Sequence, residues 1–237
     1  MTRTGALSSV LVLAAVLLFS TTALAQSADR ETLETEIRAA LAELKETERQ
    51  FLAPSAKDQR KNAVFLSQPD TGLIRLLPRE TFQDKLTING GGAYYSFARL
   101  THEYGFGSDI ELEQRQFSVG FAGADFGFLT RLGKKSLEGA TLDDPAAVFL
   151  ASFTAPTIEA EAREQARRSG TGFEANGFTY KSRQPLKAKN TYLLRSISYR
   201  ESDLLVAFRL IREDTDGSAV ILWKILKRFP VPELARP

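Results

Sequence analysis

A chain of 237 residues with 31 Lys and Arg against 29 Asp and Glu is too evenly charged for the concentrated basic surface of a nucleic-acid binder. The absence of cysteine excludes disulfide staples, a lipid-bearing cysteine and a thiolate zinc site, and one histidine leaves no ordinary ligand set for a metal. No Walker or dinucleotide fingerprint is set between a strand and a helix, so no cofactor is expected.

Residues 1–25 have the layout of a secretory signal peptide: Arg3, an apolar run over 10–19, then Ala23-Leu24-Ala25 before Gln26. The run falls short of the roughly 20 apolar residues of a membrane span, so cleavage is expected rather than anchoring. No twin-Arg pair precedes it, which points to the general secretory route and to a bacterial periplasmic or secreted protein. No later segment approaches spanning length, and 26–237 is expected to form one soluble, β-rich domain.

Over 29–52, Leu33, Ile37, Leu41, Leu44 and Phe51 recur at helical spacing, with Asp29 as a cap and Pro54 as a terminator. The stripe predicts a helix laid across a sheet, with a partner helix as the alternative. A shorter helix is expected over 56–66, closing an N-terminal helical segment at 26–70.

Strands are expected over 73–77, 86–88, 93–104, 108–121 and 124–130. Ile110 and Leu112 hold one phase while Phe117, Val119 and Phe121 hold the other, which predicts a bulge or sharp bend near 114–116. A hairpin turn at Tyr104-Gly105-Phe106-Gly107 sets His102 opposite Asp109, two thirds of a hydrolase triad. No Gly-x-Ser-x-Gly elbow completes it, so a solvated cross-strand pair is the expected role. Asp109, Glu111 and Glu113 alternate with Ile110 and Leu112 and read as a solvent face, with a glycosidase-like acid pair as the alternative. Asn89-Gly90-Gly91-Gly92 reads as a flexible connection, with a ligand loop as the alternative.

A helical and loop excursion over 132–172 contains Asp144-Pro145, a capped helix start. Over 157–168 the only large apolar residue is Ile158, which predicts an exposed helix prone to disorder.

A C-terminal β-meander spans 173–229, with runs at 191–199, 204–213 and 218–227. Asp214-Thr215-Asp216-Gly217 opens like a calcium loop, but Ile225 stands where a bidentate Glu belongs, so a hairpin turn is expected. Tight turns align Leu193 with Leu210 and Ile221, Arg195 with Phe208 and Trp223, and Ile197 with Val206 and Ile225. Arg195 on that apolar face must find a partner: an aromatic ring with a carboxylate at its head or, as a functional alternative, an anionic ligand group in an apolar cavity.

The expected architecture is α+β and predominantly antiparallel: a sandwich or partly closed barrel of about eight or nine strands with the N-terminal helix packed on it. The expected role is that of an exported, non-enzymatic binding protein for an apolar or amphipathic ligand or an envelope component, with Arg195, Phe208 and Trp223 as its site. The alternatives are an exported hydrolase using carboxylates with or without His102, and a structural subunit contacting a partner through its first helix.

Overall fold

A computed structural model describes residues 6–82, 92–102, 104, 105 and 107–235, with side chains from Asp29 onward. The predicted strand at 86–88, residues 89–91 of the glycine loop, and Phe106 lie outside the described residues, as do the side chains of Ala23-Leu24-Ala25.

Two units divide the chain, 1–49 and 50–237. Helix α1, Ala6–Leu52, makes up the first and runs into the second. Along its stripe Leu33 is 56% exposed and Ile37 59%, with Leu41 and Leu44 also exposed. Amphipathic spacing says only that a stripe seeks apolar cover, not which surface supplies it. Along the helix Glu34 pairs with Arg38, and Glu46 with Arg49 at 2.7 Å, at the spacing that brings side chains together on one face.

In the second unit the predicted helix over 56–66 breaks at Asn62 into α2, Ala56–Lys61, and α3, Ala63–Leu66. The Ser55 hydroxyl caps α2 by accepting from the Asp58 amide at 3.2 Å. Strand β1, Thr71–Leu76, and helix α4, Arg79–Phe82, follow. Next come β2, Tyr94–Tyr95, β3, Ile110–Glu113, β4, Gln116–Ser118, and β5, Phe126–Gly133. Helices α5, Pro145–Ser152, and α6, Glu159–Thr171, lead to β6, Phe173–Ala175, β7, Phe178–Tyr180, and β8, Arg183–Pro185. Strands β9, Thr191–Ser198, β10, Ser202–Glu213, and β11, Ala219–Arg228, end the fold.

The architecture is α+β with antiparallel sheets, ordered β1-β11-β10-β9-β5, β2-β3-β4-β8 and β6-β7. Eleven strands appear among the described residues, partly because the predicted run over 108–121 is two strands. Gln114 and Arg115, at φ 48° and 56°, form the tight turn between β3 and β4, pairing Glu113 with Gln116. The phase switch in the sequence is therefore the expected sharp bend, in the form of a hairpin turn rather than a bulge.

No barrel closes. One face of the five-stranded sheet packs Leu194, Val206, Phe208 and Ile221 against Tyr95, Ile110, Leu112 and Phe117 of the four-stranded sheet. There the Phe117 ring meets Phe208 edge-on at 5.0 Å, a favoured aromatic geometry. The other face packs Leu193, Ile197, Leu205 and Ala207 against Ala146, Leu150 and Ala162 of the excursion. Burial on both faces explains why every residue of β9 is buried. Helix α6 is exposed along most of its length, as its lack of large apolar residues predicts, and is anchored at two positions. Ala162 and Ser169 are fully buried, and the Ser169 hydroxyl donates to the Gly127 carbonyl. Small residues secure the helix by close approach.

The β10–β11 register matches counting: Leu210 pairs with Ile221, Phe208 with Trp223, Val206 with Ile225. The β9–β10 register does not. Ser198 pairs with Ser202, so the loop holds three residues, with Arg200 at φ 66°, rather than the four predicted. Arg195 consequently pairs with Leu205 instead of Phe208, and this odd slip moves it to the opposite face.

Gly127 allows a close approach within this core. A Cβ there would stand 2.3 Å from the Arg195 carbonyl oxygen and 2.5 Å from a Val119 methyl. Gly127→Ala is expected to destabilise the fold by about 1–3 kcal/mol in urea denaturation, the usual cost of overpacking. An unchanged midpoint would contradict the contact.

Candidate functional site

Arg195 is 1% exposed and fully engaged. Its Nε donates to Asp203 Oδ1 at 2.5 Å and its Nη2 to Oδ2 at 2.8 Å, while Nη1 donates to the Leu150 carbonyl. Nη2 also reaches the Phe153 carbonyl at 3.4 Å, and the guanidinium lies 3.2 Å from the centroid of the Phe229 ring. Asp203 pairs with Ile197 and Arg195 with Leu205, so the ions are diagonal neighbours on one sheet face. Burial pushes the Asp203 carboxyl upward in pKa, and Arg195 pulls it back.

The predicted trio is not assembled. Phe208 stacks on Tyr192 at 5.0 Å, and Trp223 packs on Phe97 at 5.2 Å, both on the face away from Arg195. Arg195 does find a ring and a carboxylate, but they are Phe229 and Asp203. The clamp ties β9 to β10, to the end of α5 and to the C-terminal tail, and leaves its guanidinium no room for a ligand.

His102 and Asp109 do not pair either, because the chain turns back before the predicted hairpin. The Ser96 amide donates to the Thr101 carbonyl at 2.9 Å, with Leu100 at φ 58°. His102 Nε2 instead lies 3.1 Å from the Arg75 carbonyl, so the neutral ring donates there, and burial lowers its pKa to about 4. Asp109 is wholly buried. Its Oδ2 accepts from the Phe97 amide at 2.7 Å and the Ser96 hydroxyl at 3.4 Å. Oδ1 has no hydrogen bond of standard geometry, although the Ser196 hydroxyl and Ala98 amide act on the group. Burial pushes the Asp109 pKa up to about 6.

Asp109 and Glu111 are buried, not the solvent face that alternation predicts. Arg79, from α4, covers the face: its Nη1 lies 3.1 Å from Glu111 and 3.0 Å from Glu113. The Ser118 hydroxyl donates to Glu111 at 2.8 Å. Burial and a hydrogen bond to Glu111 push the Tyr94 phenol upward in pKa. Both glutamates are thus held by Arg79, and Glu113 also by Arg183. Among the described residues no group of three His, Asp or Glu side chains could hold a metal.

The open edge of the sandwich offers a different site. There β5, at the edge of one sheet, meets the link between β7 and β8: the Leu129 and Lys181 backbones exchange hydrogen bonds at 2.7 and 3.0 Å. A groove of about 630 Å³ runs alongside, lined by Arg131, Phe178, Thr179, Lys181, Arg183 and Gln184 among others, without a carboxylate. Arg131 and Lys181 are exposed and make no ion pair among the described residues; Arg183 touches Glu113 at 3.5 Å. The Lys181 stem lies over Gly172, where a Cβ would stand 2.5 Å from its Cε. Gly172 thereby lets Lys181 lie along the wall. A second groove, of about 500 Å³, mixes Asp125, Glu159 and Glu201 with Arg200 and has no such single sign.

None of the residues singled out in the sequence lines the cationic groove. The only local signal is Lys181-Ser182-Arg183, two cations at period two, and Arg131 joins them through the Leu129–Lys181 bridge. No family model, curated protein or solved structure matches the chain.

Proposed function

We propose that this chain is an exported, non-enzymatic binding protein whose groove between β5 and β8 holds an anionic component of the cell envelope. The observation that carries this reading is the convergence of Arg131, Lys181 and Arg183 on a groove lined by no carboxylate. Arg183 has Glu113 at 3.5 Å, whereas Arg131 and Lys181 have no counter-ion among the described residues, and like charges left so gain when an anion joins them. The export half rests on residues 1–25. The expected apolar ligand gives way to an anionic one because protein groups already fill the surroundings of Arg195. The hydrolase alternative has less support: Glu111 and Glu113 are paired with Arg79, and His102 is turned to a backbone carbonyl. The exposed stripe on α1 stays outside this reading, since nothing described shows what covers it.

Titration calorimetry of the chain beginning at Gln26 against polyphosphate and a polyuronate is expected to show binding to at least one, weakening with added salt. An Arg131→Ala/Lys181→Ala/Arg183→Ala variant is expected to bind at least about tenfold more weakly, roughly 1.4 kcal/mol across three exposed contacts. Equal binding by this variant, or none by the native chain, would sink the proposal.

A further inference from the structure

We infer that the anionic component is an acidic glycan, a sugar chain bearing carboxylates, an assignment that rests on the function proposed above. A bare phosphate asks only for charge and donors. This groove adds the half-buried ring of Phe178, the side chain of Gln116, that of Gln184, whose amide also donates to the Leu129 carbonyl at 3.4 Å, and the exposed Thr179. A sugar ring presents an apolar C–H face and hydroxyls that both give and accept hydrogen bonds. An aromatic face with amides around it answers both. Arginine presents a planar fork that matches a carboxylate, and two of the three cations are arginines.

The volume of about 630 Å³ falls within the range of about 300–1,000 Å³ that encloses a drug-sized ligand, far more than one small anion needs. Gly170 and Gly177 border this space, and a Cβ at either would meet nothing within 4 Å, so the walls stand clear for a bulky ring. All three cations are exposed, so each contact is weak and depends on repetition along a chain of charges.

The test compares three probes on the chain beginning at Gln26: an oligogalacturonate, a neutral malto-oligosaccharide of equal length, and polyphosphate. The uronate is expected to bind and the neutral sugar to bind at least tenfold more weakly. Phe178→Ala is expected to weaken uronate binding about tenfold while leaving polyphosphate unaffected. Phe178→Leu keeps apolar bulk toward the interior, removes the aromatic face and is expected to show the same selective loss if Phe178→Ala fails to fold. Arg131→Ala/Lys181→Ala should weaken both anions. Polyphosphate binding as tight as uronate binding, with uronate indifferent to the Phe178 variants, would overturn the glycan assignment and leave the anionic groove standing. Failure of both anions to bind would overturn the two together.

Discussion

Arg195→Met is expected to lower folding stability by about 3–5 kcal/mol in urea denaturation, the usual result of removing one partner from a buried ion pair. The variant strands the Asp203 carboxylate in the interior and takes the donors from the Leu150 and Phe153 carbonyls. The Phe229 ring loses the cation it covers, freeing the tail. Arg195→Met/Asp203→Leu is expected to regain most of the loss, because two apolar side chains need no partners. A single variant within about 1 kcal/mol of the native chain would show that the clamp contributes little.

The second large effect is one of pH, and the native protein conceals it. Asp109, raised from 3.8 to about 6, holds in the folded state a proton that the unfolded chain has already released, so its contribution falls as pH rises between those values. His102, lowered from 6.5 to about 4, refuses in the folded state a proton that the unfolded chain accepts, so its contribution rises over nearly the same window. Each shift of roughly two units is worth about 3 kcal/mol, and the two oppose one another. Stability of Asp109→Asn is therefore expected to climb by about 3 kcal/mol from pH 4 to 6.5. That of His102→Gln, whose amide can still donate to the Arg75 carbonyl, is expected to fall by a similar amount. Urea midpoints across this range decide it, and native-like profiles in both variants would show that neither shift exists.

Legibility followed the turns. The β10–β11 register was readable because Gly217, at φ 82°, marks its turn in the sequence. The β9–β10 loop hides its left-handed residue as Arg200, and Gln114-Arg115 likewise turns without glycine or asparagine. One misjudged loop length sufficed to put Arg195 on the wrong face while leaving most strand positions nearly right. The antiparallel class survives such a slip because it depends on how many strands there are and how they are spaced, not on register. The cationic groove was not legible, since Arg131 reaches Lys181 and Arg183 only through a backbone bridge between distant segments.

Among the described residues strand β1 stands at the edge of its sheet and pairs only with β11, Thr71 meeting Lys224. Phe229, just beyond that last strand, closes over Arg195. The earliest described strand and the ring over the buried cation thus both depend on residues 219–229. A chain that stops before Ala219 has nothing against which to seat Thr71–Leu76, so that segment cannot be held as a strand until residues 219–224 are present.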